Sequence, residues 1–312
     1  MGSAANDPYV IVHGGVVKTA SSYLQAILQR NAGRLRKQGV HYVHHRTTRK
    51  EFTVPCQLNG YEKLGIDRKT KISDKELAKI AKGFFDDVGA KSGERIILSD
   101  ENLSGHSGQC ARGGMLFANR KVFTRVFANN IPFEVREVHL AVRNYADFFA
   151  STYIEFLRSA SARFVIDENA MKRKVLSNIE SWSALIQVIA KSFPDAKIIA
   201  WRHEDMHQLS DQIIQNLVGE GADTSNFATP QRKRIRPSAS QKAVEILFNE
   251  IERFGAEIAI EKWAEIQEKY PRSDELEAYD PWTQDERRHL THLYESDVQK
   301  LTMLPRIELL RP

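Results

Sequence analysis

The stretch Val10–Gln29, VIVHGGVVKTASSYLQAILQ, decides how the rest of the chain is read. It opens as a short apolar run of the kind that forms a buried strand. Gly14 and Gly15 then allow a tight turn, and the chain continues as a helix with Lys18, Thr19, Ala20, Ser21 and Ser22 at its mouth. A helix amino terminus carries unpaired N–H groups and partial positive charge, so a strand–turn–helix corner with a lysine and hydroxyls attracts anions. The same corner also reads as a plain joint, with Lys18 solvated and the serines capping the helix. The Walker pattern G-x-x-x-x-G-K-[ST] is half met, because Val17 stands where its second glycine belongs. That glycine lets a loop wrap a β-phosphate, so a triphosphate cradle is disfavoured.

Outward from this stretch the chain alternates strands and helices. "RIILS" (95–99), "EVREVHLAV" (134–142) and "AKIIAW" (196–201) read as further buried strands, and "VHYVHH" as a short one. Helices are expected over 19–37, 73–88, 145–158, 169–192 and 206–218, the second with a Ser73/Glu76 capping box. Residues 46–72 are polar and poorly patterned and read as a loop-rich insertion. After Gly219 the strands stop. A basic linker follows, with Arg232, Lys233, Arg234 and Arg236, and then helices over most of 239–269 and 283–303. The expected fold is α/β, a three-layer sandwich around a central parallel sheet with a helical C-terminal part. It is read as one domain over 1–312, with a core at about 8–220 and an extension at about 230–312. Ligands of such sheets sit at the carboxyl ends of the strands.

The composition is that of an ordinary globular protein: 312 residues, 42% hydrophobic and 27% charged. Forty-five Lys and Arg against 40 Asp and Glu leave a net +5, which suits an anionic ligand but is too small for a nucleic-acid coat. Cys56 and Cys110 show neither a disulfide framework nor zinc spacing and read as reduced bystanders. No apolar run approaches the about 18 residues of a membrane span. "MGSAANDPY" lacks a signal-peptide core, so a cytoplasmic protein is expected. Nothing in the sequence marks an oligomeric state.

"VHGGVVKTASSYLQAILQRNAGRLRKQGVHYV" resembles the opening of sulfotransferases that use 3′-phosphoadenosine-5′-phosphosulfate (PAPS), especially bacterial and carbohydrate-type members. Their pattern is close to H-x-G-x-x-K-T-G-T-T-x-L-Q, often followed by N-R-x-x-L and G-V-x-Y. His13, Gly15, Lys18, Thr19, Leu24, Gln25, Asn31, Leu35, Gly39, Val40 and Tyr42 stand at matching places. Ser21-Ser22 replaces a Thr pair and keeps the hydroxyls. Ala20 replaces a glycine and puts a methyl where the backbone usually meets the 5′-phosphate. "VHLAVRNYADFFASTYIEF" (138–156) resembles the second motif of that family, a strand ending in Arg with a Ser eight residues on. Arg143 and Ser151 occupy those places. Ser151 falls about two turns into the helix, so both side chains can reach one phosphate, and the Arg fork matches phosphate oxygens. "WRHEDM" resembles, more weakly, a strand-end E-D-L.

The resemblance implies a 5′-phosphosulfate-binding loop made by Gly15, Lys18, Thr19, Ala20, Ser21 and Ser22, a 3′-phosphate site at Arg143 and Ser151, and a basic closing loop with Arg234. It implies PAPS as donor, no metal, and a hydroxyl acceptor of carbohydrate or glycan type. Sulfuryl transfer needs charge stabilisation, for which Lys18 is the candidate, and a general base. Glu101 in "LSDENLSG" is the first candidate base, followed by His44 or His45; His41 lies in the same region, and His106 is more distant. Glu101 also reads as an N-cap carboxylate, and the histidines as an exposed turn. Two other readings remain: a P-loop kinase acting on a small molecule, with "RIILSD" a partial Walker B strand, and a sulfotransferase-like nucleotide-binding protein without turnover, which Ala20 would favour.

Overall fold

The computed structural model describes residues 7–14, 16–159, 165–178, 181–230 and 239–312. Six strands form one sheet: β1 (Tyr9–His13), β2 (Val40–Val43), β3 (Arg95–Ser99), β4 (Glu134–Val142), β5 (Lys197–Arg202) and β6 (Ile307–Leu310). Their order is β2-β3-β1-β4-β5-β6, and every pairing is parallel. The four strands after the first that the sequence announced are present. The sixth corrects the expectation that strands end at Gly219. Only four residues long and close to the C-terminus, it carries Glu308 in its middle and becomes a strand by pairing with β5.

Parallel strands need helical crossovers that bury both sheet faces. Alternate residues of each strand therefore enter different cores. Val10, Val12, Ile96, Leu98, Val138 and Leu140 pack into the larger core, and Ile11, Ile97, Ala141, Ile199 and Trp201 into the smaller. Helices α1 (Ser21–Arg30), α2 (Ala32–Lys37) and, between β5 and β6, α11 (Met206–Val218) supply the smaller core. The larger core takes α5 (Asp74–Val88), α7 (Arg120–Asn129), α8 (Tyr145–Ser159) and α10 (Trp182–Ser192). This is the expected three-layer α/β arrangement.

Three helical expectations change. The helix expected over 19–37 starts at Ser21 and is cut at Asn31, whose side-chain amide donates to the carbonyls of Ile27 and Ala228, 2.8 and 3.0 Å away, and redirects the chain. The helix expected over 169–192 is two, α9 (Glu168–Asn178) and α10. The insertion 46–72 is mostly helical: α3 (His45–Thr48), a wide π-type turn at Arg49–Thr53, and α4 (Val54–Lys63). Its pattern misled because polar side chains face inward there. Gln57 and Asn59 are buried and donate to the carbonyls of Asn102 and Ile72. Gly60 admits the Phe123 ring, which an added Cβ would meet at 2.7 Å.

The capping box of α5 forms as its sequence foretold, with Ser73 and Glu76 exchanging hydrogen bonds. In the C-terminal part, α12 (Gln241–Phe254), α13 (Ala256–Glu261) and α14 (Trp263–Lys269) precede α15 (Gln284–Leu301). The last is locked to α8 and α10 by buried Asp297, which accepts hydrogen bonds from Tyr145 and Ser183. Cys56 and Cys110 are buried free thiols, and burial pushes both pKa values up, that of Cys110 to about 12. No helix among the described residues is long and apolar enough to cross a membrane.

Candidate functional site

Chain connectivity places the site before any side chain does. From β1 the chain moves outward past β3 to β2, returns to β3, and then crosses to β4 on the other flank. The carboxyl end of β1 is thus a topological switch point, and in open α/β sheets it is there that diverging loops leave a crevice. The loop Gly14–Ala20 starts there. The backbone at Gly14 leaves no room for a side chain, since an added Cβ would lie 2.7 Å from Leu103. Gly15 lies outside the described residues.

Lys18 and Ala20 both adopt left-handed backbone angles, with φ of 65° and 63°. For a residue with a Cβ this costs roughly 1 kcal/mol. A glycine at position 20 would meet no such cost. The Thr19 and Ser21 hydroxyls both donate to the Val16 carbonyl, at 2.6 and 3.4 Å. Two of the hydroxyls expected to face a ligand therefore brace the turn instead. Ser22 is exposed. The amino end of α1 has no side-chain cap and no acidic residue in its first turn, so its N–H groups and partial charge are not neutralised locally.

Arg143 follows β4 directly and reaches this loop. Its Nη1 donates to the Lys18 carbonyl at 2.6 Å, joining positions 125 residues apart. Its Nε is buried without a hydrogen-bond partner. Burial depresses the proton affinity of Arg143, which Asp147 and Glu204 partly restore. Ser151 lies half-buried on α8. The Lys18 ammonium reaches the same helix and lies 3.4 Å from Glu155, one turn beyond Ser151. Burial lowers the pKa of Lys18, and Glu155 opposes that shift. Glu204 of the "WRHEDM" stretch accepts hydrogen bonds from the Asn144 backbone and the Tyr294 hydroxyl, tying β5, α8 and α15 together. Beside it, burial and the Arg143 charge hold His203 at about 4. Arg234 lies outside the described residues.

The β3 side of the crevice differs. Arg49, set by the wide turn, bridges two consecutive carboxylates, 2.7 Å from Asp100 and 2.7 Å from Glu101. Gln25 of α1 donates to Glu101 and to the Ser99 hydroxyl, both at 3.1 Å, and Ser99 lies 2.8 Å from His13 Nδ1. Burial pushes the Glu101 carboxyl up, but the Arg49 charge and the hydrogen bonds from Arg49 and Gln25 outweigh it, leaving the pKa below the usual range. Burial dominates at Asp100 and raises its pKa despite Arg49. Burial also holds His13 at about 4, so its ring is neutral at pH 7.

The four histidines separate. His45 is half-buried, with Nδ1 enclosed and without a hydrogen-bond partner; burial and neighbouring His44 lower its pKa, while the nearby Glu101 charge raises it. His44 caps α3 by accepting the Arg46 N–H, at 3.2 Å. His41 pairs with Glu94 at 2.7 Å, toward the amino end of the sheet and away from the crevice. His106 precedes α6 (Ser107–Gly113) and senses the charges of Arg49 and Arg68. Among the described residues, no group of three or more His, Cys, Asp or Glu side chains could hold a metal ion.

The sequence reading missed Arg49, His203 and Glu155. Arg49 sits in a segment without periodicity, and His203 in a motif read only for its acidic residues. Glu155 could have been found, because it shares a helical face with Ser151.

No protein-family model and no curated protein matches the chain. Among solved structures, a sulfotransferase from Alicyclobacillus acidocaldarius aligns over 85% of this chain and 97% of its own, at 12% identity and a TM-score of 0.39. The functional reading stands on the residues at the crevice.

Proposed function

We propose that this protein is a sulfotransferase that moves a sulfuryl group from PAPS to an acceptor hydroxyl, of carbohydrate or glycan type. The observation that carries this reading is the contact between Arg143 and the Lys18 loop. Two motifs that resemble the phosphate sites of one nucleotide meet at one end of one sheet. The uncapped start of α1 and the orphaned Arg143 Nε fit two separate anionic groups. When bound, the donor supplies the sulfuryl group and a bisphosphate leaving group.

The residues divide the work. The N–H groups at the start of α1, with Ser22, hold the 5′ end. Arg143 and Ser151 hold the 3′-phosphate. Lys18 offsets charge as the leaving oxygen becomes anionic. A base must take the acceptor proton near pH 7. Glu101 was the first candidate, but Arg49 and Gln25 weaken its hold on a proton. Burial lowers the pKa of His45 too, but from a higher ordinary value, and its ring is partly exposed and within range of the Glu101 charge. We therefore assign proton removal to His45 and stabilisation of its protonated ring to Glu101.

A kinase reading has one supporting feature, Asp100 at the end of a strand beside β1. Its carboxylate, however, faces Arg49 and the Asn102 backbone N–H. Calorimetry with adenosine 3′,5′-bisphosphate against ATP–Mg²⁺ separates the two. We expect preference for the bisphosphate and a loss of about a hundredfold in Arg143→Ala. A preference for ATP would overturn the proposal. Transfer of radiolabelled sulfate over a panel of acceptors tests turnover. His45→Ala should cost roughly a hundredfold in rate and Glu101→Gln less; the reverse order would return the role of base to Glu101.

A further inference from the structure

The Lys18 side chain crosses from its loop to α8. Its ammonium meets Glu155 on α8, and Arg158, three residues further along that helix, donates to the same Oε2 at 3.3 Å. One carboxylate oxygen thus lies against cations from two elements. The Lys18 and Glu155 side chains are 24% and 20% exposed, so the pair is partly shielded from solvent and still reachable by a ligand. Ser151, one turn before Glu155, shares its helical face.

This arrangement has an electrostatic reason. Lys18, Arg143 and Arg158 converge where solvent is scarce. Burial, with the charges of Arg158 and Arg143, works against a protonated Lys18, and Glu155 works for it. A phosphate or sulfate group offers these cations the same kind of oxygen as a carboxylate, with more charge and more acceptor sites.

We propose that Glu155 is an internal counter-anion: it occupies the Lys18–Arg158 cations and is displaced when a tetrahedral anion enters the loop. This deepens the donor-site reading and rests on it for the nucleotide, but the exchange itself applies to inorganic phosphate. The arrangement lowers affinity for every anion and disfavours monoanions, which replace one charge with one charge. No covalent step is involved.

The test is calorimetry at fixed ionic strength on the full chain, comparing wild type, Glu155→Gln and Glu155→Asp. Inorganic phosphate and adenosine 3′,5′-bisphosphate are the probes, and thermal melting checks folding. Glu155→Gln should bind both probes about fivefold tighter. Glu155→Asp, whose carboxylate is withdrawn by one methylene, should show a smaller gain and carries the test if the first variant does not fold. Adding Lys18→Ala should erase the gain. Unchanged or weaker phosphate binding in both Glu155 variants, or no phosphate binding by any of the proteins, would overturn the proposal. Tighter phosphate binding with no preference for the bisphosphate would uphold the exchange and sink the donor reading.

Discussion

The two flanks of β1 differ in sign and in construction. Toward β4 lie Lys18 and Arg143, with Glu155 set between the Lys18 and Arg158 cations. Toward β3 it is lined by Asp100 and Glu101, with Arg49 between carboxylates and His45 nearby. In the proposed reaction the cationic flank would take the anionic donor, and the acidic and imidazole flank the acceptor that loses a proton. In each set of like charges one of the opposite sign sits in contact with two: Glu155 with Lys18 and Arg158, and Arg49 with Asp100 and Glu101. A cluster of like charges in a poorly solvated crevice destabilises the fold unless something compensates it, so both flanks carry an internal counterion. They differ in backbone cost as well: the Lys18 loop includes two residues at left-handed angles, while the β3 flank is a network of side chains.

Lys18→Ala should have the largest effect. We expect transfer to fall by roughly two to three orders of magnitude, read by radiolabelled sulfate, with melting little changed. On the other flank, Arg49→Met should act on stability first. It leaves buried Asp100 without its cation and should cost about 3 kcal/mol in urea unfolding, part of which Asp100→Asn in the same chain recovers.

His13 stands on the dividing strand and gives a pH test. Its folded pKa of about 4 lies below the ordinary 6.5. Between those values the unfolded chain takes up a proton that the folded protein refuses, so stability falls as pH drops from 6.5 toward 4. His203, also held at about 4, adds to the same slope. Melting temperatures across this range should decline in the wild type and decline less in His13→Gln. The smallest effect belongs to Ala20→Gly, which removes a Cβ from a left-handed position. A gain of about 0.5 kcal/mol in stability is expected, with bisphosphate affinity equal or improved. A loss of affinity would mean that the Ala20 methyl is part of the binding surface.

How legible each part was follows from where its information lies. Apolar runs such as Ile96–Leu98 mark buried strands because parallel sheets are covered on both faces. The start of α5 was legible because a capping box is local chemistry. The segment 46–72 was not, because Gln57 and Asn59 are inside only by virtue of partners at Asn102 and Ile72. β6 was missed because its strand character comes from its neighbour β5. Within the site, Lys18, Arg143, Ser151 and Glu101 were named from motifs, whereas Arg49, Glu155 and His203 entered through contacts made across the sheet.

The α/β alternation, the turn after β1 and the residue types at its mouth are written along the chain, because each depends on neighbours within a few turns. Tertiary structure alone decided what those residues face. It turned the Thr19 and Ser21 hydroxyls inward to Val16, brought Arg143 onto the Lys18 carbonyl, and set Arg49 between two carboxylates. Side-chain direction and proton affinity depend on burial and on charges brought close by folding, and neither can be read along the chain.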